Sequence, residues 1–327
     1  WPDDLDYQGK QVVVIGSGAT AMTLVPAMAS TGAGHVTMLQ RSPTYVVSRP
    51  DTDAIANGLR KLLPDSLAYA LTRKKNIALG ALFYRRTRTQ PDKVKQRLLG
   101  MARKELGDEL VERHFTPEYH PWDQRLCLIP NGDLYRAIND GSASVVTDTI
   151  ATFTETGIEL ASGEHLDADI VVTATGLQLV TLGEMDFTVD GRAVDFSSTY
   201  TYKSMMYSDL PNLASVFGYV NASWTLRADL VCAWVCRLLN HMRATGTDQC
   251  TPRLRASDQN MPPRPFIDDF SANYMQRVMP LLPKQGDHQP WVNTQSYSAD
   301  RKLIAKAEID DGVMQFTSVG VGSAGTT

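Results

Sequence analysis

Four apolar residues followed at once by a glycine-rich turn, QVVVIGSGATA at residues 11–21, constrain the fold of this chain more than any other stretch. Residues 12–15 have the length and the β-branched composition of a buried parallel strand. The glycines predict a tight turn, and the residues after them predict the start of a helix. A strand, a glycine turn and a helix in this order are typical of a loop that holds a pyrophosphate at a helix N-terminus.

The small residues of this turn have the spacing G-x-G-x-x-G/A, with Gly16, Gly18 and Ala21 at the three fixed positions. In that pattern the third small residue lets the helix pack close to the strand. A second predicted strand at residues 35–40 completes a βαβ unit. The sequence therefore predicts a dinucleotide site. The candidate pyrophosphate loop comprises Gly16, Ser17, Gly18, Ala19, Thr20 and Ala21.

The end of the second strand, HVTMLQRS, indicates which dinucleotide is bound. An NAD-binding unit usually has an Asp or Glu there to accept hydrogen bonds from the ribose hydroxyls. This strand ends without an acid, and Arg41 and Ser42 follow it. A guanidinium can bind a ribose 2′-phosphate through two hydrogen bonds, so the sequence favours NADP over NAD. The alternative is that Arg41 is an ordinary solvated charge.

Composition excludes several classes of function. The chain has 327 residues, 43% of them hydrophobic, which is enough for a substantial core and predicts two domains. Its net charge of -4 argues against a nucleic-acid partner. We expect no transmembrane segment and a cytoplasmic protein, because no apolar run could span a bilayer and the first residues are acidic. The four Cys and six His residues lack ligand spacing, so we predict no metal.

Helical stretches replace the strand–helix alternation at about residues 51–117. Basic residues dominate residues 73–104. One interpretation is peripheral contact with an anionic membrane, or electrostatic steering of a phosphorylated cofactor. The other, which we favour, is the solvated face of a helical insertion with the segment IALGALFY turned inward.

Three later stretches shape the remaining predictions. A proline- and aromatic-rich loop, YHPWDQR, carries Arg125 and is suited to form the wall of a site. The stretch DADIVVTATG predicts another buried strand, with Thr175 and Gly176 at its end. We also predict a strand ending at Phe217-Gly218, a helix over residues 228–242 stopped by Gly246, and a final hairpin at Asp311-Gly312.

In this order, GSGATA, PWDQR and DADIVVTATG resemble the flavin-containing monooxygenases of the Baeyer–Villiger type, and most closely the ethionamide-activating group. A fingerprint F-x-G-x-x-x-H-x-x-x-W-P/D precedes the NADP domain in that family, and Trp1-Pro2 look like its last two residues. The resemblance then implies that the family's N-terminal FAD-binding segment is absent before residue 1.

The resemblance also assigns roles to individual residues. Arg125 matches the active-site arginine that lies over the flavin and NADP, and Thr175 and Gly176 match the segment that returns to the FAD domain. Many members have Lys immediately before that arginine, whereas this chain has Gln124, a neutral donor in place of a cation at a cofactor contact. Residues 221–227 precede a helix whose N-terminus could face the flavin.

The fold implied by the resemblance is α/β. Residues 9–167 form a doubly wound Rossmann-type NADP-binding domain with the helical insertion, and residues 168–327 form the C-terminal part of a second, FAD-binding Rossmann-like domain. The implied reaction is NADPH- and O2-dependent. NADPH reduces FAD, and a flavin peroxide then converts ketones to esters or oxygenates sulfides and thioamides. Arg125 would supply a fixed positive charge for the anions formed during the reaction. A salt bridge from Arg125 to Asp123 or Asp133 that merely pins the loop is the structural alternative.

Four other functions stay open at this point. A flavin-independent NADPH dehydrogenase would need a proton donor that no spacing identifies, and a disulfide reductase would need a closely spaced cysteine pair. Another NADPH-dependent flavin oxidoreductase would share the two cofactors. The chain could also be an NADP-binding module or an inactive fragment. The sequence contains no pattern that indicates an oligomeric state.

Overall fold

The computed structural model describes residues 2–268 and 270–318, which fall into two compact units, Trp1–Leu177 (unit 1) and Gln178–Thr327 (unit 2). The boundary lies ten residues after the predicted one at 167/168, because the strand Ile170–Thr173 pairs with the first strand of unit 1. Thr175 and Gly176 therefore lie in unit 1.

Unit 1 contains the predicted βαβ unit, the helical insertion and the strands that follow it. Its elements in chain order are β1 (Gln11–Ile15), α1 (Ala19–Ser30), β2 (His35–Gln40), β3 (Val46–Arg49), α2 (Ala54–Leu62), α3 (Asp65–Thr89), α4 (Pro91–Leu106), α5 (Asp108–His114), β4 (Cys127–Pro130), α6 (Asp133–Asn139), β5 (Ala143–Thr147), β6 (Ile150–Phe153), β7 (Gly157–Leu160), β8 (His165–Asp167) and β9 (Ile170–Thr173).

A parallel four-stranded sheet of order β5-β2-β1-β9 is the framework of unit 1. Its central strands are buried on both faces, which explains the uninterrupted apolar runs in their sequences. On one face the sheet packs with Val25 and Met28 of α1. On the other, Val13 and Leu39 pack against the antiparallel sheet β6-β7-β8.

The helical insertion runs from α2 to α5 and lies between two strands that pair in parallel, β3 and β4. Its helices occupy residues 54–114, inside the predicted 51–117. The expectation that IALGALFY turns inward is wrong, because Leu79 and Leu82 of α3 are 57% and 45% exposed. The leucines that pack inward belong to α4 instead, including Leu98 and Leu99.

Unit 2 has short strand pairs rather than a broad sheet in its described part. Its elements are β10 (Thr188–Val189), β11 (Arg192–Ala193), β12 (Thr201–Tyr202), β13 (Met206–Tyr207), α7 (Thr225–Thr245), β14 (Gln249–Pro252), α8 (Asn273–Val278), α9 (Tyr297–Ile304) and β15 (Met314–Thr317). The pairs are β10-β11, β12-β13 and β14-β15, all antiparallel.

Among the predictions for unit 2, the helix is confirmed as α7, and Gly246 ends it with φ 66°. The strand at Phe217-Gly218 is wrong, because these residues are in irregular structure. The final hairpin is also wrong: β15 pairs with the distant β14 instead of a neighbouring strand.

Buried aromatic side chains form the core of unit 2, with Tyr202, Trp234 and Trp291 all fully buried. Their rings contact one another edge-on or tilted, with centroids 5.9 to 6.1 Å apart for the two pairs that involve Tyr202. Within residues 2–268 and 270–318, we find no helix with the length and apolar character needed to cross a bilayer.

Candidate cofactor-binding site

The glycine turn after β1 has the geometry of a close backbone approach. Gly16 has φ 136°, and a Cβ placed on it would lie 2.3 Å from the carbonyl oxygen of Ala174. Glycine is therefore required there both for its dihedral angle and for space. Gly18 is different, since a Cβ on it would meet nothing within 4 Å.

Gly18 is the N-cap of α1, and no side chain caps the helix there. Ala19 and Thr20 in the first turn are exposed, whereas Ala21 is fully buried against the sheet. The first turn thus presents backbone N–H groups and the positive end of the helix dipole to open space. An anionic group such as a pyrophosphate fits this position.

The end of β2 lies beside the glycine turn. Ser17 Oγ donates to the carbonyl oxygen of Ser42 over 3.3 Å, and Gly16 N donates to Leu39 O over 2.8 Å. Arg41 is exposed and takes part in no ion pair within residues 2–268 and 270–318. Its guanidinium is available to an anion next to the turn.

Gln40, the last residue of β2, is buried and has a structural role. The residue is 1% exposed, and its Nε2 donates to His114 O over 2.7 Å and to Thr147 Oγ1 over 2.9 Å. His114 Nδ1 lies 2.7 Å from the same hydroxyl, and burial lowers the pKa of this histidine, with a smaller contribution from Arg113. Gln40 therefore ties β2 to the end of the insertion and to β5.

The strand pair β3-β4 brings the Arg125 loop to the same end of the sheet. β3 begins four residues after Ser42, and β4 begins two residues after Arg125. Val46 pairs with Cys127, whose Sγ donates to Ser17 O over 3.7 Å. The glycine turn, the residues after β2 and the Arg125 loop are thus neighbours through these contacts.

Arg125 does not form the salt bridge that the structural alternative requires. The Asp123 carboxylate binds Arg88 of α3, with Oδ1 2.8 Å from NH1, and Asp133 Oδ1 accepts from Leu134 N over 2.8 Å. Arg125 itself is exposed, and within the described residues no ion pair includes it.

The helical insertion fixes the shape of the loop before Arg125. Besides the Arg88–Asp123 pair, the ring of Tyr84 meets Trp122 edge-on at 5.9 Å. Trp122 has φ 71°, and its buried Nε1 has no hydrogen-bond partner in the described part of the chain. A buried N–H without a partner is costly in a complete site, so this group fits a position where a ligand supplies an acceptor.

Tyr45 and Tyr119 anchor the start of the same loop, and sequence reasoning missed them. Tyr45 OH donates to Tyr119 O over 2.6 Å, and the two rings meet edge-on at 5.5 Å. Burial raises the pKa of both hydroxyls and raises the pKa of the Cys127 thiol to about 11, so these groups stay protonated at neutral pH. Their role is visible only in the structure, because the two residues lie 74 positions apart in the sequence.

Thr175 and Gly176 lie next to the glycine turn, as the chain leaves β9. A Cβ on Gly16 would come within 3.5 Å of Thr175 N, and Gly176 has φ 110°. Gln124 is half-buried in the loop before Arg125. Unit 1 therefore holds all the individually predicted site residues near one edge of its sheet.

Residues 221–227 belong to unit 2, and the side chain of Arg227 has a structural role there. Arg227 is fully buried, with NH2 2.5 Å from Asp300 Oδ2 and NH1 3.0 Å from Asn293 Oδ1. The ring of Tyr219 lies 4.3 Å from its guanidinium carbon. No side chain caps the first turn of α7, but backbone carbonyls do: Leu226 N donates to Ser223 O over 3.2 Å and Arg227 N to Trp224 O over 3.1 Å.

Metal ligands are not gathered at this site. Within residues 2–268 and 270–318, no group of three or more His, Cys, Asp and Glu side chains could hold a metal ion.

Comparison with known proteins gives relatives that match almost the whole of this chain. No family model matches the chain. The chain is 51% identical over 317 residues to the FAD-containing monooxygenase EthA of Mycobacterium tuberculosis, and 49% identical over 316 residues to the probable FAD-binding monooxygenase AlmA of Acinetobacter baylyi. Both matches cover 97% of this chain, but only 64% and 63% of the relatives.

Solved structures agree on the fold. A steroid monooxygenase bound to NADP matches 97% of this chain and 69% of its own, with a TM-score of 0.71 and 22% identity. OTEMO in complex with FAD and NADP matches 97% of this chain and 68% of its own, with a TM-score of 0.67 and 17% identity. The predicted α/β fold with a Rossmann-type parallel sheet is confirmed. The matches to EthA and AlmA confirm the family resemblance as well: along almost its whole length, this chain is homologous to the FAD-containing monooxygenases.

Proposed function

We propose that unit 1 binds NADPH within an FAD-dependent monooxygenase that uses O2. The substrates we assign are ketones, converted to esters, and sulfides or thioamides, oxygenated at sulfur. One observation carries the proposal: the uncapped glycine turn, the exposed Arg41 and the Arg125 loop are connected by the Ser17–Ser42 and Ser17–Cys127 contacts.

The residues fit a phosphorylated dinucleotide. The open space at Gly18 and the first N–H groups of α1 suit the pyrophosphate. Arg41 and Ser42 suit the 2′-phosphate, because a guanidinium is permanently charged and offers several donors in one plane. Thr175 and Gly176 complete the wall beside Gly16, and Gln124 would contribute a neutral donor.

Arg125 has the properties of an electrostatic catalyst. It is exposed in a loop held by Tyr84, Arg88 and β4, so its backbone is fixed while its guanidinium remains available. A preorganised cation stabilises negative charge that develops on oxygen more strongly than water does, because the cation need not reorient during the reaction.

FAD, when bound, would supply the redox chemistry that activates O2, with NADPH as the reductant. The protein's own part is to bind NADPH, orient it with the glycine turn and Arg41, and hold the Arg125 charge at the reacting centre. None of these tasks requires a protein nucleophile or a metal.

The first test is to measure NADPH and NADH affinities of the purified protein by fluorescence titration, together with its visible spectrum. We expect NADPH to bind more tightly. The Arg41→Ala variant should lose about 10- to 100-fold in NADPH affinity, the size expected for a charge-assisted hydrogen bond, with NADH affinity unchanged.

The matched control is Arg97→Ala, an exposed arginine on α4, which should leave both affinities unchanged. Equal loss of NADPH and NADH affinity in Arg41→Ala would contradict the 2′-phosphate assignment. Preference for NADPH without a flavin spectrum would support the alternative that the chain acts alone as an NADP-binding module.

The role of Arg125 is tested with the FAD-loaded protein. In Arg125→Ala, NADPH should still reduce the flavin, whereas product formation from a ketone should fall about 100- to 1000-fold, as when a preorganised donor is removed. Product formation at the unchanged rate would exclude Arg125 from the catalytic role.

A further inference from the structure

The neighbouring helices α2 and α3 expose large apolar side chains that an ordinary solvated helix would bury. Leu67, Leu71 and Leu82 of α3 are 46%, 39% and 45% exposed, and Leu62 of α2 is 82% exposed. Ile55, Tyr69 and Leu79 are exposed as well. Only Ala68 and Thr87 of the 25 residues of α3 are buried.

These side chains alternate with cations on one side of α3. Leu67, Leu71, Lys74, Leu82 and Arg85 follow one another at helical spacings of four, three, eight and three residues, which places them along one stripe. Lys74 and Arg85 are exposed, and in the described part of the chain neither forms an ion pair. We call these five residues the α3 stripe.

The charge of the whole α2-α3 pair is opposite to that of the protein. Residues 54–89 contain eight Lys or Arg and one acidic residue, Asp65, a net +7 in a chain of net -4. Such a concentrated basic region attracts anionic surfaces over about a Debye length, roughly 8 Å at physiological salt.

Helix α4 shows that a basic sequence does not by itself produce such a face. It carries several Lys and Arg residues, yet Val94, Leu98, Leu99 and Leu106 are buried in the core of unit 1. The exposed leucines therefore distinguish α3 from α4. Of the two helices that share the basic region of residues 73–104, only α3 combines exposed cations with a row of exposed leucines.

We propose that the α3 stripe binds the surface of an anionic phospholipid bilayer. The helix lies parallel to the surface, its leucines enter the headgroup region, and Lys74 and Arg85 contact lipid phosphates. Apolar and basic side chains on one helix face are the combination that such a surface selects. The proposal is independent of the monooxygenase reaction.

The test is co-sedimentation of the purified protein with vesicles of phosphatidylcholine alone or containing about 30 mol% phosphatidylglycerol. We expect binding to the anionic vesicles that weakens as salt is raised, and little binding to the neutral ones. Lys74→Glu/Arg85→Glu should weaken binding at least about 25-fold, since each cation near an anionic surface contributes about fivefold.

Leu71→Ser/Leu82→Ser tests the apolar contribution and should weaken binding at least about tenfold at unchanged charge. The matched control is Lys93→Glu/Lys104→Glu, which reverses two exposed charges on α4 and should bind at least ten times more tightly than the α3 charge variant. Far-UV circular dichroism and NADPH affinity establish that each variant is folded.

Three results would overturn the proposal. The first is failure of the unchanged protein to bind anionic vesicles, and the second is equal weakening by the α3 and α4 charge variants. The third is a change of sedimentation coefficient in Leu71→Ser/Leu82→Ser without vesicles, which would identify the face as a contact between two copies of the chain.

Discussion

The two units bury different kinds of polar side chain. In the described part of unit 1, the buried polar residues are uncharged at neutral pH: Gln40, Thr44, Thr87 and His114. Unit 2 instead buries four charged residues, Lys203, Arg227, Asp258 and Asp300.

Backbone pairing explains the contrast. Four parallel strands satisfy the backbone of unit 1, and apolar side chains can cover both faces. The strand pairs of unit 2 have two to four residues per strand, so its long irregular segments are joined by side chains. Lys203 Nζ, 2.6 Å from Asp311 Oδ2, and Arg227 with Asp300 each connect residues more than 70 positions apart. Unit 2 should therefore be the more sensitive to loss of one charge.

Arg227→Met tests this contrast with the largest expected effect. The variant leaves the Asp300 carboxylate buried without its cation, which should cost about 3–5 kcal/mol of unfolding free energy. Hydrogen exchange should rise across residues 178–318 while the NADPH affinity that we assign to unit 1 is unchanged. The control is Arg253→Met, which breaks an exposed pair with Asp209 and should cost about 0–1 kcal/mol. Equal losses of unfolding free energy in the two variants would contradict the special role of buried charges in unit 2.

The stability of unit 1 should depend most on its backbone geometry, and Gly16→Ala tests this dependence. The added Cβ would meet Ala174 O at 2.3 Å at a positive φ, so we expect a loss of about 1–3 kcal/mol in stability together with NADPH binding. Gly18→Ala should weaken NADPH binding with little change in melting temperature, because the Cβ meets only open space. Similar melting temperatures for the two variants would contradict this reading of the turn.

The pH dependence of stability should come in part from His288 of unit 2. Its Nε2 lies 2.9 Å from Asp258 and its Nδ1 2.6 Å from Asp287, and these hydrogen bonds raise the pKa of His288 above its ordinary 6.5. Burial would raise the pKa of Asp258, but hydrogen bonds from Arg255, His288 and Trp291 outweigh it and lower that pKa.

Because the folded pKa of His288 is raised, its stabilisation is complete below about pH 6.5 and is lost as pH rises through the folded value. Melting temperatures measured from about pH 6 to 9 should therefore fall less steeply in His288→Gln than in the unchanged protein. His120→Gln in unit 1 serves as the control. A slope unaffected by His288→Gln would show that this cluster does not set the pH dependence.

Gln124→Lys should have the smallest effect. A cation beside Arg125 adds a screened attraction for NADPH phosphates, worth about two- to fivefold in affinity. Gln96→Lys on α4 adds the same charge elsewhere and should change NADPH affinity less. Equal gains from the two variants would indicate general attraction rather than a contact at the loop.

Local sequence patterns predicted the features of this molecule that depend on neighbouring residues. The run at residues 12–15, the turn at Gly16, the helices of the insertion and the stop at Gly246 each follow from local periodicity or from glycine dihedral angles. Arg41 and Arg125 came from motif context, and their roles stay predictions.

Features that depend on distant partners were missed. The ion pair of Arg227 and Asp300, the pairing of β14 with β15 and the Tyr45–Tyr119 contact join segments whose sequences carry no sign of each other. Hydrophobicity alone predicts that the apolar segment of α3 is buried, whereas burial depends on which helix packs against the sheet.

Because β3 and β4 pair in parallel, the helices between them can be replaced without moving the two flanking strands. The chain leaves the core at Arg49 and returns at Cys127, on strands that already hold each other in register. Helices of another length or sequence could be grafted there while the glycine turn stays in position. The new helices would need side chains that contact Trp122 and Asp123 as Tyr84 and Arg88 do. The fold thus separates a part that can diversify from a part that must stay unchanged.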